Sequence, residues 1–314
     1  MYSILICSYN KSRSLQAVLT NLNGWVEKMG EYPFEVVVID DGSTDDTARV
    51  IERTRIEYPF SYYCIDHSGL SGARNAGIRK CRGEYVVFCD DDVLMDPGYL
   101  EALDHSVRRH PLKVHIGNLL NIDKQYSRGI IDGLIEEGTA DHAGMQQLQY
   151  PHIFFEAAKK LFHFQDQYKD FNPAAWWAVV TGGNLCVPRH LFEAYGYFDE
   201  NIKGWGPEDA DLCYRFFKNG IRAVFNKDCR LYHLDHDRNS NSLLESMTKN
   251  AVYFIKKYKK PPELYDYLNF TNGKLSLAEF NDKCSELFNL KKIVVPPFAM
   301  SMKDYSGKEQ FLKI

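Results

Sequence analysis

The sequence predicts an α/β protein with a Rossmann-like, mostly parallel central sheet flanked by helices. Two observations carry this. Through the first third of the chain, short apolar runs alternate with segments whose apolar residues recur at helical spacing. Each of the three best runs also stops at a polar cluster: Ser8-Tyr9-Asn10, Asp40-Asp41 and Asp90-Asp91-Asp92. In open parallel sheets ligands bind beyond the carboxyl ends of the strands, where these clusters fall.

Residues 3–7 are the first strand, and Leu15, Val18, Leu19 and Leu22 mark the helix that follows. Residues 34–39 are the second strand. Ser43, with Asp46 three residues on, is the expected N-cap of a helix carrying Ala48, Val50 and Ile51. Residues 62–65 suit a third strand, and Gly69 and Gly72 lead into a helix through Ala73, Asn75, Ala76 and Ile78. Gly83 resets the chain for a fourth strand, 84–89, which feeds the acidic triplet.

The middle of the chain, 119–177, is rich in aromatic and charged residues with few glycines, shows no clear period, and is expected to hold mobile connections and helix. Beyond it, 177–184 suits a strand or turn in close backbone packing, and a helix through Phe216 and Phe217 should stop near Gly220. Residues 223–225 and 230–233 suit two short strands. The chain after Arg238 looks helical, broken at Pro261-Pro262. The expected division is 1–118 and 119–240 as two halves of one domain, with 241–314 as a helical C-terminal extension.

Composition excludes some classes. With 45% hydrophobic and 25% charged residues the chain is an ordinary globular protein, and a net charge of −4 gives no basic field for nucleic acid. The eight cysteines are scattered without a C-x-x-C pair, which points to buried free thiols in a reducing compartment. A strand begins almost at residue 1, leaving no room for a signal peptide, and no apolar run approaches the ~20 residues of a membrane helix. A cytoplasmic location is expected.

Chemistry concentrates in a few places. In extended backbone Asp90 and Asp92 converge while Asp91 points away, leaving Asp91 as the dispensable member. Two convergent carboxylates suit Mg2+ or Mn2+; an isolated D-x-D would be an ordinary acidic loop, but this one ends an apolar strand. Asp40-Asp41-Gly42-Ser43 serves as a turn and cap, with one carboxylate in excess that can accept from a nucleobase or ribose. A haloacid-dehalogenase signature, D-x-D-x-T, fails because Gly42 takes the second Asp position and Val93-Leu94 follow the triplet. The Gly69–Asn75 stretch is either a plain helix start or an anion site served by Arg74. Glu208, Asp209 and Asp211 each suit a helix N-terminus, yet Trp205 between Gly204 and Gly206 adds an indole platform beside a carboxylate, a common way to hold a sugar and deprotonate its hydroxyl. His233, with Asp235, His236 and Asp237 close by, offers a further metal ligand that spacing alone does not select.

Taken in order, Ser8-Tyr9-Asn10, the 38–45 stretch VIDDGSTD, the 69–77 stretch GLSGARNAG and Asp90-Asp91-Asp92 strongly resemble family 2 glycosyltransferases of the GT-A fold. The 204–212 stretch GWGPEDADL, with His233 downstream, resembles the acceptor half of the galactosyl- and N-acetylgalactosaminyltransferase branch. Pro207 stands where relatives often have a small residue. The likeness covers residues 1–120 and 176–240; each motif is only moderately specific, but their order is highly so.

The resemblance implies an inverting, metal-dependent transfer of a sugar from a UDP-sugar, with Mn2+ or Mg2+. Candidate nucleotide-binding residues are Ser8, Tyr9, Asn10, Asp40, Asp41, Gly72, Arg74, Asn75, Asp90 and Asp91. By the family pattern Tyr9 and Asp40 hold the uracil end, and Arg74 lies near the base or diphosphate. Asp90 touches ribose or metal, Asp92 binds the metal, and His233 completes its coordination. On the acceptor side the resemblance picks Gly183, Trp205, Gly206 and Glu208, with Asp209 as general base and Glu208 positioning the acceptor or sugar.

Two rivals are a nucleotidyltransferase, which needs a glycine-rich, lysine-bearing first loop unlike Ser8-Tyr9-Asn10-Lys11, and a non-catalytic sugar-nucleotide-binding protein, which the intact carboxylates oppose. The acceptor is open among glycans, lipid-linked sugars, peptides and small molecules. Residues 254–260, FIKKYKK, are most simply a solvated helix end; the other reading is peripheral contact with an anionic membrane.

Overall fold

The structure is a computed structural model and describes residues 1–26, 32–138, 142–168, 171–236 and 240–300. In chain order its elements are β1 (Tyr2–Ser8), α1 (Ser12–Asn23), β2 (Phe34–Asp40), α2 (Thr47–Arg53), β3 (Phe60–Cys64), α3 (Leu70–Lys80), β4 (Tyr85–Asp90), β5 (Val93–Met95), α4 (Tyr99–Arg109) and β6 (Val114–Ile122). Then come α5 (Lys124–Glu137), α6 (His142–Leu148), β7 (Gln149–Pro151), α7 (Ile153–Leu161), two 3-10 turns (Trp176–Ala178 and Gly182–Asn184), β8 (Leu185–Pro188) and α8 (His190–Tyr195). The chain continues through α9 (Glu208–Lys218), β9 (Ala223–Leu234), α10 (Ser240–Lys257), α11 (Pro262–Thr271) and α12 (Leu277–Leu287).

The strands form one sheet in the order β3-β2-β1-β4-β8-β6-β9-β5, with β7 on β6. The first four are parallel, and Ile4 lies opposite both Val36 and Val87. Strands β1, β2 and β4 are apolar along nearly their whole length because both of their faces are covered, while β3 lies at the edge and is only half-buried. Their register brings Ser8 level with Asp40 and Cys7 level with Asp90, so the three polar clusters end at one edge. The remaining pairings in register are antiparallel: β8 joins β4 and β6, β7 joins β6, and β5 joins β9.

The chain divides into two compact units. One comprises residues 1–152, 182–197 and 226–237, and its core is the buried face of the sheet, with Ile4, Ile6, Val36, Val38 and Val87 fully enclosed. The other comprises 153–181, 198–225 and 238–314. Its core is aromatic: Trp177 is fully buried, with ring centroids 4.9 Å from Tyr214, 5.4 Å from Tyr267 and 5.8 Å from Phe280. Such packing adds edge-to-face attraction to plain area burial.

Several local expectations are corrected. Ser43 does not cap α2: Asp46 holds the N-cap position, and Ser43 Oγ instead accepts from the Asn10 amide at 2.9 Å. The two short strands expected at 223–225 and 230–233 are one continuous strand, β9, carried through charged residues by pairing with its neighbours. The unpatterned middle contains β6, α5, α6, β7 and α7, whose short length and mixed polarity hide any period. Gly220 does end α9, at a φ of +78°, with its amide bonded back to the Phe217 carbonyl at 2.9 Å. The eight cysteines are all free thiols and six are buried. No helix among the described residues is long and apolar enough to cross a membrane.

Candidate active site

In the sheet unit, the site is built from the loops that leave β1, β2 and β4. Asn10 sits in left-handed backbone at φ +54°, which Asn tolerates, and its Oδ1 accepts from the amides of Thr44 (2.7 Å) and Asp45 (3.2 Å). This laces the first loop to the second. Asp40 and Asp41 are both buried. Asp40 accepts from the Ser43 amide at 2.8 Å and the Tyr62 hydroxyl at 2.7 Å. Asp41 accepts from the Ser68 amide (2.7 Å), the Ser68 hydroxyl (2.9 Å) and the Gly69 amide (2.9 Å), and so shapes the turn before α3. Beside that turn, Tyr9 stacks on His67 with ring centroids 4.2 Å apart and is 45% exposed, an open aromatic face at the strand ends.

Arg74, buried on α3, reaches Asp90 Oδ1 at 3.5 Å and lies 5.7 Å from the centre of the Phe88 ring. The Gly182-Gly183 turn closes over this pair. A Cβ at Gly182 would come 2.2 Å from the Arg74 guanidinium, and one at Gly183 would come 2.9 Å from Asp90 Oδ2. Gly72 and Asn75 are also buried on α3.

The acidic triplet does not behave as alternating strand residues. Strand β4 ends at Asp90, and Asp91 and Asp92 form a turn, so the period of two no longer applies. Asp91 is buried rather than turned away, and lies 3.6 Å from Lys11 Nζ. Burial, opposed by Lys11 and assisted by the charge on Asp92, pushes its carboxyl up to about 7. Asp92 is buried too. Burial alone would raise it, but His236, His233 and Lys11 hold it well below the usual carboxylate range.

The residues that gather around Asp92 are His233 and His236, whose ligand atoms all lie within 4.8 Å of one another. Val93 pairs with His233 across β5 and β9, which sets that histidine beside the triplet. His233 Nδ1 lies 3.1 Å from the Asn121 side-chain oxygen, which can only accept. Nδ1 donates to that oxygen, which leaves Nε2 directed at Asp92 Oδ1, 3.7 Å away, as the ring nitrogen that could share a cation with the carboxylate. His236 Nε2 lies 3.1 Å from Asp92 Oδ2. Two imidazoles and a carboxylate at this spacing can hold a divalent cation. Asp90, expected among the ligands, lies against Arg74 instead of joining this group. Lys11 Nζ bonds Asp92 Oδ2 and lies 3.0 Å from His236 Nε2, so a bound cation and the ammonium would compete for the same space.

In the other unit, Glu208 and Asp209 are buried in the first turn of α9, where the helix dipole favours negative charge. Trp205 is 42% exposed just before them. Burial, and then the charges of Glu208 and Asp209, push the Tyr267 phenol up. Asp211 is fully enclosed and accepts from Lys257 Nζ at 2.7 Å and the Tyr258 hydroxyl at 2.9 Å, a structural role.

Lys11, His67 and Asn121 belong to the site although the sequence does not single them out for it. Lys11 was visible as the one cation directly following Ser8-Tyr9-Asn10. Asn121 carried no signal, since its strand showed no pattern. Asp237, grouped with His236 in the sequence, lies outside the described residues.

The family model for glycosyl transferase family 2 matches residues 3–165, more than half of the chain. The chain belongs to glycosyl transferase family 2. A second family model, for the N-terminal domain of galactosyltransferase, matches residues 162–237 of this family 2 chain. Among curated relatives, validoxylamine A glucosyltransferase of Streptomyces hygroscopicus subsp. jinggangensis is 28% identical over 84% of this chain and 63% of its own length. Hyaluronan synthase of Pasteurella multocida is 24% identical over 82% of this chain and 27% of its own. The chain thus spans less than two thirds of either relative.

The solved structures that resemble it are GT-A glycosyltransferases, and they establish that fold here. GalNAc-T7 with UDP, GalNAc and Mn2+ aligns with a TM-score of 0.60 at 17% identity, over 93% of this chain and 55% of that one. The mannosyltransferase PcManGT from Pyrobaculum calidifontis, in complex with GDP-Man and Mn2+, gives 0.57 at 17% identity over 92% and 74%. S. aureus TarS in complex with UDP-GlcNAc gives 0.55 at 17% identity over 92% and 71%.

Proposed function

We propose that this protein is an inverting, metal-dependent glycosyltransferase that moves a hexose or N-acetylhexosamine from a UDP-sugar to a hydroxyl acceptor in glycan or glycoconjugate synthesis. The observation that carries the reading is the Asp92–His233–His236 cluster at the same sheet edge as Arg74, Asp90 and the exposed Tyr9 ring. A nucleobase has its aromatic face in Tyr9, and a diphosphate has its cations in Arg74 and the ion. Asp92, His233 and His236 would hold a divalent cation, Mn2+ or Mg2+, which supplies positive charge for the leaving diphosphate.

The chain's own residues supply the rest. Arg74 neutralises charge as the anomeric C–O bond breaks, and being buried and already held beside Asp90 it needs little reorganisation. Asp209 takes the acceptor hydroxyl proton, Glu208 orients the sugar, and Trp205 offers its ring to the acceptor. One displacement with inversion needs no protein nucleophile. Among donors, UDP-galactose and UDP-N-acetylgalactosamine are favoured by the 204–212 stretch and by the galactosyltransferase-domain match.

The test is UDP release by the purified protein with UDP-glucose, UDP-galactose, UDP-N-acetylglucosamine and UDP-N-acetylgalactosamine, with Mn2+ and with EDTA. Metal-dependent release from one of these, to sugar acceptors or to water, is expected. Tight UDP–Mn2+ binding without any release from the four would favour a non-catalytic binding protein.

A further inference from the structure

Helix α10 carries a polar stripe that neither the donor chemistry nor the GWGPED motif accounts for. Ser246, Asn250, Tyr253 and Lys257 are spaced four, three and four residues apart, so they share one helix face. All four reach the segment from Asp199 to Asp211. A Cβ at Gly204, whose φ is +71°, would sit 2.9 Å from Ser246 Oγ. Asn250 is buried, and its side-chain NH2 uses one N–H on the Lys203 carbonyl and the other on the Trp205 carbonyl, both at 2.8 Å. A Cβ at Gly206 would come 2.7 Å from Asn250. Tyr253 and Lys257 hold Asp199 Oδ2 at 2.9 and 2.8 Å, and Lys257 also holds Asp211 Oδ1 at 2.7 Å.

The stripe therefore grips the loop at its start, its middle and the helix after it. The exposed Trp205 indole stands on backbone whose two flanking carbonyls are tied to a single buried amide. A donor of two hydrogen bonds in a buried site is worth more than its net stability suggests, because removing it leaves two carbonyls without their partner.

We propose that Asn250 is a positioning residue that fixes the 203–206 loop and, through it, the Trp205 platform that sets affinity for the acceptor. The proposal rests on the reading of Trp205 as an acceptor-side residue. It assigns α10 to acceptor selection rather than to donor or metal binding.

The variant is Asn250→Leu, close in volume but without donors, in the full-length protein. Amide hydrogen exchange over residues 203–209 is expected to quicken by about tenfold or more, with exchange in β1 and β4 unchanged. The kinetic arm uses the best of the four UDP-sugars and p-nitrophenyl β-D-glucoside as the acceptor probe. The acceptor KM should rise about tenfold while the donor KM moves less than twofold. Trp205→Ala combined with Asn250→Leu should add little to either single change, since the two act as one unit. Where Asn250→Leu fails to fold, Asn250→Ser, which keeps one donor, should show an intermediate exchange rate.

Equal loop exchange in wild type and variant, or a rise in donor KM as large as that in acceptor KM, overturns the assignment. A wild type that releases no UDP from any donor overturns the functional reading instead, and the exchange comparison still decides whether the clamp exists.

Discussion

At the scale of single residues, three side chains separate metal, competitor and base. Asp92 is the carboxylate that both histidines face, so Asp92→Asn should weaken Mn2+ binding by on the order of 100-fold and remove Mn2+-dependent UDP binding. Titration of free Mn2+ by electron paramagnetic resonance reads this directly. Lys11 presses its ammonium onto the same atoms, and is held protonated by Asp92 and Asp91 against the opposing effect of burial. Removing it should tighten Mn2+: about tenfold for Lys11→Met in the absence of nucleotide, since a competing charge only a few ångströms away is lost. Unchanged or weaker affinity would show that Lys11 does not compete. Asp209→Asn keeps shape but removes the proposed base, and should cut transfer by roughly 10²–10⁴ while UDP–Mn2+ affinity stays near wild type. Full activity in that variant would remove Asp209 from the mechanism.

At the scale of elements, α9 and α10 are joined by charge. Burial would raise the Asp199 carboxyl, but hydrogen bonds from Lys257 and Asn201 override it and bring it down to about 2. A depressed carboxylate contributes stability that is present above its unfolded value near 3.9 and lost as pH falls through the folded one. The urea midpoint should therefore drop between about pH 4 and pH 2, and the drop should be smaller in Lys257→Met, which removes the main partner. A variant with the same pH dependence as wild type would place the acid sensitivity elsewhere. The same elements mark the limit of pattern reading. The motif before α9 was visible in the sequence, and so was a helix after residue 238. That the polar stripe of α10 meets that motif was not, because a stripe of Ser, Asn, Tyr and Lys at helical spacing looks like a solvated face until its partner is known.

At the scale of the whole molecule, ion binding should be a stability term. A ligand that binds only the folded state at 100 times its Kd adds about 2.7 kcal/mol, which for a chain of this size is a rise in Tm of roughly 4 °C. Mn2+ should produce that rise in a thermal melt, EDTA should reverse it, and Asp92→Asn should abolish it. A rise that survives in Asp92→Asn would place the ion outside this cluster. The two units are each assembled from three stretches of chain, so the site's residues arrive from distant positions: Asn121 and His233 meet although 112 residues separate them.

Much of this was determined by the sequence alone. The parallel half of the sheet follows from apolar runs that end in polar clusters, because a strand covered on both faces must be apolar and its ligand-facing end need not be. The family follows from the order of those clusters. Tertiary structure alone decided that Asp91 is buried beside Lys11 and that Asp90 lies against Arg74, since the strand stops at Asp90 and a turn cancels the alternation that sequence spacing assumes. It also decided that His236 and Lys11 converge on Asp92, and that Asn250 holds the Trp205 loop. The physical reason is the same in each case. Local patterns report which face of an element is buried, while the partner on the other side is set by long-range pairing that no local period encodes.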